Sequence, residues 1–157
     1  MAYSDYVPVT GTITSISAGN NCCSQMITLF TENGIVNFTV SPESIIIENR
    51  QLRQGMRVTA FYDSSLPVPL IYPPLYLAQI VIVMDRNDQV MLNYFDRNLL
   101  AADRSLQLNI SRSTDISTVN GQRFTCSLGD RVLLVTYTVT TRSIPPQTTP
   151  DSIIVFC

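Results

Sequence analysis

Gln25-Met-Ile-Thr-Leu-Phe-Thr31-Glu-Asn-Gly34-Ile-Val-Asn-Phe-Thr-Val40 is the stretch that decides the fold class of this chain. Apolar and polar residues alternate on both sides of Thr31-Glu32-Asn33-Gly34. A period of two sends successive side chains to opposite faces of a strand. Asn-Gly tolerates the positive φ angles that a tight hairpin turn demands. Strands are therefore predicted over Gln25–Phe30 and Ile35–Val40. Working outward, Val7–Ile16 alternates through Val7, Val9, Gly11 and Ile13. Arg57–Tyr62 and Ala78–Met84 read as further strands. Helical periodicity is nearly absent, with room for one short turn in Ser41–Arg53 and another in Asn98–Ala102. The expected class is all-β.

The same order of elements occurs twice. In the first half, Asn37-Phe-Thr-Val-Ser41 leads through Ile46 to Gly55-Met-Arg-Val58. A proline-rich loop (Pro67, Pro69, Pro73, Pro74) and a closing strand, Gln79–Val83, follow. In the second half, Gln107-Leu-Asn-Ile-Ser111 leads through Ile116 to Gly129-Asp-Arg-Val132. Pro145, Pro146, Pro150 and Ser152–Phe156 complete it. Gly55 and Gly129 are predicted to supply positive-φ turns that feed a strand. Proline cannot donate to a central ladder, so each proline-rich segment must be a loop. About five short strands per half fit two tandem, related OB-like small barrels, over residues 1–86 and 87–157. The alternative is a β-sandwich or jelly roll.

Composition narrows function. Of 157 residues, 45% are hydrophobic and 14% charged, against about 25% charged in a typical domain. Either Ser, Thr, Asn and Gln cover the surface, or much of it meets protein. The chain has neither His nor Lys. That removes the commonest general base, Schiff-base chemistry and every Ser–His or Cys–His nucleophile pair within the chain. Asp85 and Asp88 form one carboxylate pair, read as solvated turn residues rather than an acid–base couple. No catalytic, cofactor-binding or metal-binding residues are expected, and no enzyme activity. A net charge of −2 argues against nucleic acid and against anionic membranes. No run is apolar and long enough to insert in a bilayer. The N-terminus lacks the basic and apolar regions of a signal peptide.

The remaining candidates concern contacts. Cys22, Cys23, Cys126 and Cys157 are candidate disulfides or cross-links, with no zinc-type spacing. The rigid loops offer interface residues: Pro67, Pro69, Ile71, Tyr72, Pro73, Pro74 and Tyr76, then Ile144, Pro145, Pro146 and Pro150. Tyr3, Tyr6, Val7 and Val9 form a candidate N-terminal strand that docks on a neighbour. Phe61-Tyr62, Tyr72, Tyr76, Tyr94-Phe95 and Tyr137 are alternatively a stacking face for sugars, or simply core.

The strings Ala60–Tyr76, Asn120–Thr125 and Thr140–Cys157 resemble a family of small proteins from spore-forming clostridial Firmicutes. That resemblance implies no activity and no catalytic residues. Looser similarity to cysteine-paired spore appendage subunits implies a place on the spore or cell surface, after synthesis in the mother-cell cytoplasm. Those subunits carry their cysteine pair in a free N-terminal arm, whereas Cys22-Cys23 lies inside this chain. The leading expectation is a non-catalytic subunit, a homo-oligomer or homopolymer, that self-assembles into a filament or coat layer. The alternative is a soluble OB-type module that binds an oligosaccharide or another small ligand.

Overall fold

The computed structural model describes residues 3–157, which form two compact units, Ser4–Arg86 and Asn87–Cys157. The first unit contains β1 (Tyr6–Ala18), β2 (Gln25–Thr31), β3 (Gly34–Val40), β4 (Ile45–Ile46), β5 (Arg57–Asp63), β6 (Leu75–Leu77) and β7 (Ile80–Met84). They make one mixed sheet in the order β4-β7-β5-β1-β2-β3-β6. β2 and β3 pair in register from Gln25 with Val40 to Thr31 with Gly34, so the hairpin turns where Asn33-Gly34 places it. Gly34 takes φ +113.

The sheet curls because one segment serves both of its ends. β6 runs parallel to β3, and β7 runs antiparallel to β5. Between them Ala78 N–H donates to Thr39 O at 2.9 Å, and the next residue, Gln79, donates to Phe61 O at 2.8 Å. The ladder thus changes partner within two residues. The expected closed barrel is not present among the described residues; a curled, mixed sheet takes its place. Inside the curl, Ile13, Ile27, Leu29, Phe38, Val58, Ala60 and Val81 form a buried core. Alternation fixes this choice, since Ile27 and Leu29 point inward while Phe30 points out.

The second unit contains β8 (Gln89–Phe95), β9 (Gln107–Leu108), β10 (Asp115–Thr118), β11 (Arg131–Tyr137), β12 (Gln147–Thr148) and β13 (Ser152–Phe156). Its sheets are β10-β13-β11-β8 and β12-β9. The pairings reproduce those of the first unit. β4 with β7 and β10 with β13 are parallel, as are β3 with β6 and β9 with β12. β5 with β7 and β11 with β13 are antiparallel, as are β1 with β5 and β8 with β11. Single bridges, Phe95 with Ala101 and Leu100 with Gln107, stand where the first unit has the long β2 and β3 ladders. Phe95, Leu106, Leu108, Leu133, Val135, Ile153 and Val155 fill its core.

Two sequence expectations need correction. Tyr6, Val7 and Val9 are not a free docking strand: they lie in β1 and pair with Asp63, Tyr62 and Ala60 of β5. Tyr3 groups with the second unit, edge-on to Phe156 with ring centroids 5.7 Å apart. Pro8 is tolerated in β1 because β2 pairs with β1 only from Thr12 onward, so the missing N–H breaks no ladder on that side. Asn98–Ala102 is not helical; Leu99 takes φ +63 in a tight turn where Asp96 Oδ1 accepts from the Asn98 and Leu100 amides. The other expected helical turn is a 3-10 turn at Ile47–Asn49.

Candidate interaction surface

The loop between β5 and β6 leaves the sheet because its prolines cannot join a ladder. Its foot is fixed. Ser64 donates through its amide and its hydroxyl to Asp5 O, at 2.8 and 2.7 Å. Asp63 Oδ1 accepts from the Ser65 amide and hydroxyl. Its far end is fixed by the Asn37 amide donating to Pro74 O at 2.9 Å. Between these anchors the chain turns apolar side chains outward. Leu70 is fully exposed and Tyr72 is 84% exposed, with Leu66, Val68 and Ile71 also in solvent.

The β2–β3 hairpin exposes two further large apolar side chains. Phe30 and Ile35 are cross-strand partners, and both are exposed. The Tyr72 hydroxyl would lie 3.7 Å from a Cβ built on Gly34, so the loop reaches the hairpin turn. No charged residue occurs from Ser64 to Met84.

The loop Thr138–Pro146 occupies the corresponding place in the second unit. Its ends are held by Thr141 N–H donating to Gln147 O (2.8 Å) and Thr148 Oγ1 donating to Val139 O (2.6 Å). Ile144 is fully exposed, Val139 is 74% exposed, and Arg142 stands in solvent between them. Tyr72-Pro73 and Ile144-Pro145 are both cis peptides, and each presents a large apolar side chain.

Of the interface residues picked from the sequence, Pro67, Pro69, Ile71, Tyr72 and Ile144 lie in solvent, while Pro73, Pro74, Pro145 and Pro146 are half-buried. Pro150 is not a surface residue: it is buried, and its carbonyl accepts from Thr114 Oγ1 at 2.8 Å. Tyr76 is not free to bind. Its ring stacks on Tyr62 with centroids 3.8 Å apart, against Phe38. Burial there, aided by the hydrogen bond to Tyr76, raises the Tyr62 pKa above the usual phenol value. Val68 and Leu70 lie within the loop Pro67–Tyr76 that the sequence reading singled out, while it missed Leu66, Val139, Phe30 and Ile35. The last two were recoverable from the hairpin register, since the partners inside it are Ile27, Leu29 and Phe38.

The aromatic residues divide. Phe61, Phe95 and Tyr137 are core. Tyr94 is partly exposed, and its hydroxyl donates to Asp130 Oδ1 at 3.1 Å. Desolvation and that carboxylate together raise its pKa. No convergent set of stacking rings results.

Cys22 and Cys23 sit in the turn joining β1 to β2, Cys126 in the loop before β11, and Cys157 after β13. All four are exposed and free, so no disulfide forms within the chain. Asp85 is exposed and Asp88 half-buried in the turn after β7. Among the described residues there is no group of three or more His, Cys, Asp or Glu placed to hold a metal ion. No helix there is long and apolar enough to cross a membrane. No protein family and no curated protein matches the chain.

Proposed function

We propose that this protein is a non-catalytic structural subunit that self-assembles into a filament or a surface layer such as a spore coat. The observation that carries the reading is the apolar loop of the first unit, with Leu66, Val68, Leu70, Ile71 and Tyr72 in solvent. Monomeric soluble proteins rarely expose contiguous apolar patches beyond a few hundred Å² unless the patch binds something. A loop clamped at both ends loses little conformational freedom when it docks, which favours contact through it. The lack of His and Lys adds support, since it removes the commonest catalytic machinery. The four exposed thiols suit covalent reinforcement between subunits once contacts have formed. Ligand binding through the tyrosines has less behind it, because Tyr62 and Tyr76 stack on each other and Tyr137 is core.

Sedimentation over a concentration series, with electron microscopy and a non-reducing gel alongside, tests this. Concentration-dependent growth into ordered particles is the expected result. Protein that stays monomeric at its highest soluble concentration, with and without oxidant, refutes it.

A further inference from the structure

We infer that Cys22 and Cys23 form a chelating dithiol, a site for one soft ion that needs only two thiolate ligands, copper(I) above all. The inference is independent of the assembly reading.

The turn between β1 and β2 sets the pair. Ser24 N–H donates to Asn21 O at 3.2 Å, which closes a four-residue turn with Cys22 and Cys23 at its two central positions. Asn21 Oδ1 accepts from the Cys23 amide at 2.9 Å, and Gly19 N–H donates to Ser24 O at 3.0 Å. A Cβ on Gly19 would lie 2.7 Å from the Ser24 carbonyl carbon, so glycine lets the neck of the loop close. Ser24 is buried, while both cysteines are exposed and free. The backbone is thus held, and two adjacent thiols stand in solvent at its tip.

Spacing decides what the pair does. The Cys22-Cys23 peptide is trans, so the two Cα atoms are about 3.8 Å apart. A disulfide usually sets its Cα atoms about 4.4–6.8 Å apart, with the sulfurs about 2.05 Å from each other. A direct bond between these neighbours therefore strains the turn that the hydrogen bonds hold. A bridging ion relaxes the demand. With metal–sulfur bonds of about 2.3 Å, the two sulfurs stand roughly 4 Å apart.

Ligand supply selects the ion. Structural zinc and iron–sulfur centres take four protein ligands. The chain has no His, and among the described residues no third Cys, Asp or Glu joins the pair. Magnesium and calcium seek oxygen ligands. Soft thiolates select copper(I). Each thiol gives its proton to water and the two thiolates hold the ion, with no change of oxidation state. Once one thiolate holds the ion, its neighbour closes the chelate from a high effective concentration.

The test titrates reduced, oxygen-free protein with copper(I) held by a colour-forming chelator, with sedimentation alongside. Wild type should bind one ion per chain tightly, without a change in its association state. The double variant Cys126→Ser, Cys157→Ser should bind as wild type does, and loss of binding there would overturn the inference. Cys22→Ser and Cys23→Ser should each weaken binding roughly a hundredfold or more, since one thiol alone forms no chelate. Either variant binding as tightly as wild type would overturn it too. All four positions are exposed, and circular dichroism checks that the variants fold. Copper(I) that draws chains into dimers would mean that two chains share the ion, against a chelate within one chain. Phenylarsine oxide gives a second reading without copper. It condenses with two thiols to one dithioarsenical and releases one water, so the thiols that Ellman's reagent titrates should fall from four to two. A count that stays at four, or an adduct that persists in Cys22→Ser, would refute the paired site.

Discussion

Thr136 lies in β11, 7% exposed, and its Oγ1 hydroxyl is buried without a hydrogen-bond partner. Thr59 in β5 is fully buried too, but its hydroxyl shares a 2.7 Å hydrogen bond with Thr10 Oγ1 and faces the Met84 sulfur. Valine replaces the hydroxyl by a methyl of the same shape, so the two substitutions should have opposite signs. An unsatisfied buried hydroxyl costs about 1–3 kcal/mol, so Thr136→Val should stabilise by roughly 1–2 kcal/mol. A domain of this length shifts its melting temperature by about 2–4 °C per kcal/mol, which predicts a rise of roughly 2–8 °C. Thr59→Val removes a satisfied bond and should destabilise by about 0.5–1.5 kcal/mol. The loss stays at the low end because Thr10 is half-buried and its hydroxyl can turn to water. Thermal and urea unfolding followed by circular dichroism would read both. With two compact units, two transitions are possible, and each variant should move the transition of its own unit. A Thr136→Val protein that is less stable than wild type would show that the hydroxyl is satisfied, and would refute the reasoning.

Three further outcomes follow from the geometry. Burial raises the Tyr137 pKa above the phenol value of about 10, so the unfolded chain ionises first. Its stabilisation is complete below that value and is lost as pH rises through the folded one. Alkaline melts should therefore show Tyr137→Phe retaining stability above about pH 10 better than wild type. Gly55→Ala and Gly129→Ala should each cost about 1–3 kcal/mol by urea unfolding, for different reasons. Gly55 takes φ +93 with open space around it, so Asn should partly rescue it; a Cβ on Gly129 would lie 2.9 Å from Arg97 Cα, and Asn should not help there. Ellman's reagent should titrate four thiols in the native monomer without denaturant, and fewer would mean that one is covered or paired.

The fold class was legible because alternation and Asn-Gly act locally. Gln25–Val40 could be placed to within a residue since its turn and its two faces are written in the same sixteen positions. The partner switch at Ala78-Gln79 was not legible. Nothing in those two side chains marks it, since it arises from backbone amides that meet two different strands. β1 carries a register shift between Ile13 and Ser15 that the sequence did not announce, since a bulge has no fixed sequence sign. Gly129 was assigned the right place for the wrong reason: Asp130 takes the positive φ, and Gly129 is small because Arg97 backbone crosses it. In the surface, prolines betrayed the loops but not which residues they expose. Pro150 looked like Pro145 in sequence, yet Thr114 pins it inside.

The two units share their scaffold down to single hydrogen bonds. Ser44 Oγ donates to Ala78 O at 2.6 Å and accepts from the Ser41 amide; Thr114 Oγ1 donates to Pro150 O at 2.8 Å and accepts from the Ser111 amide. Each pair locks the start of a closing strand, so neither can have drifted far from the other's geometry. Their surfaces nonetheless differ where it bears on contact. The first unit keeps a long hairpin that exposes Phe30 and Ile35, and its loop carries no charge from Ser64 to Met84; the second reduces that hairpin to two bridges and puts Arg142 in the equivalent loop. Had both loops served only to cover the ends of their sheets, similar scaffolds would have needed similar loops. The divergence takes in the hairpin itself as well as the solvent-facing loop. The first unit exposes an apolar loop, and the second a threonine-rich loop that carries Arg142.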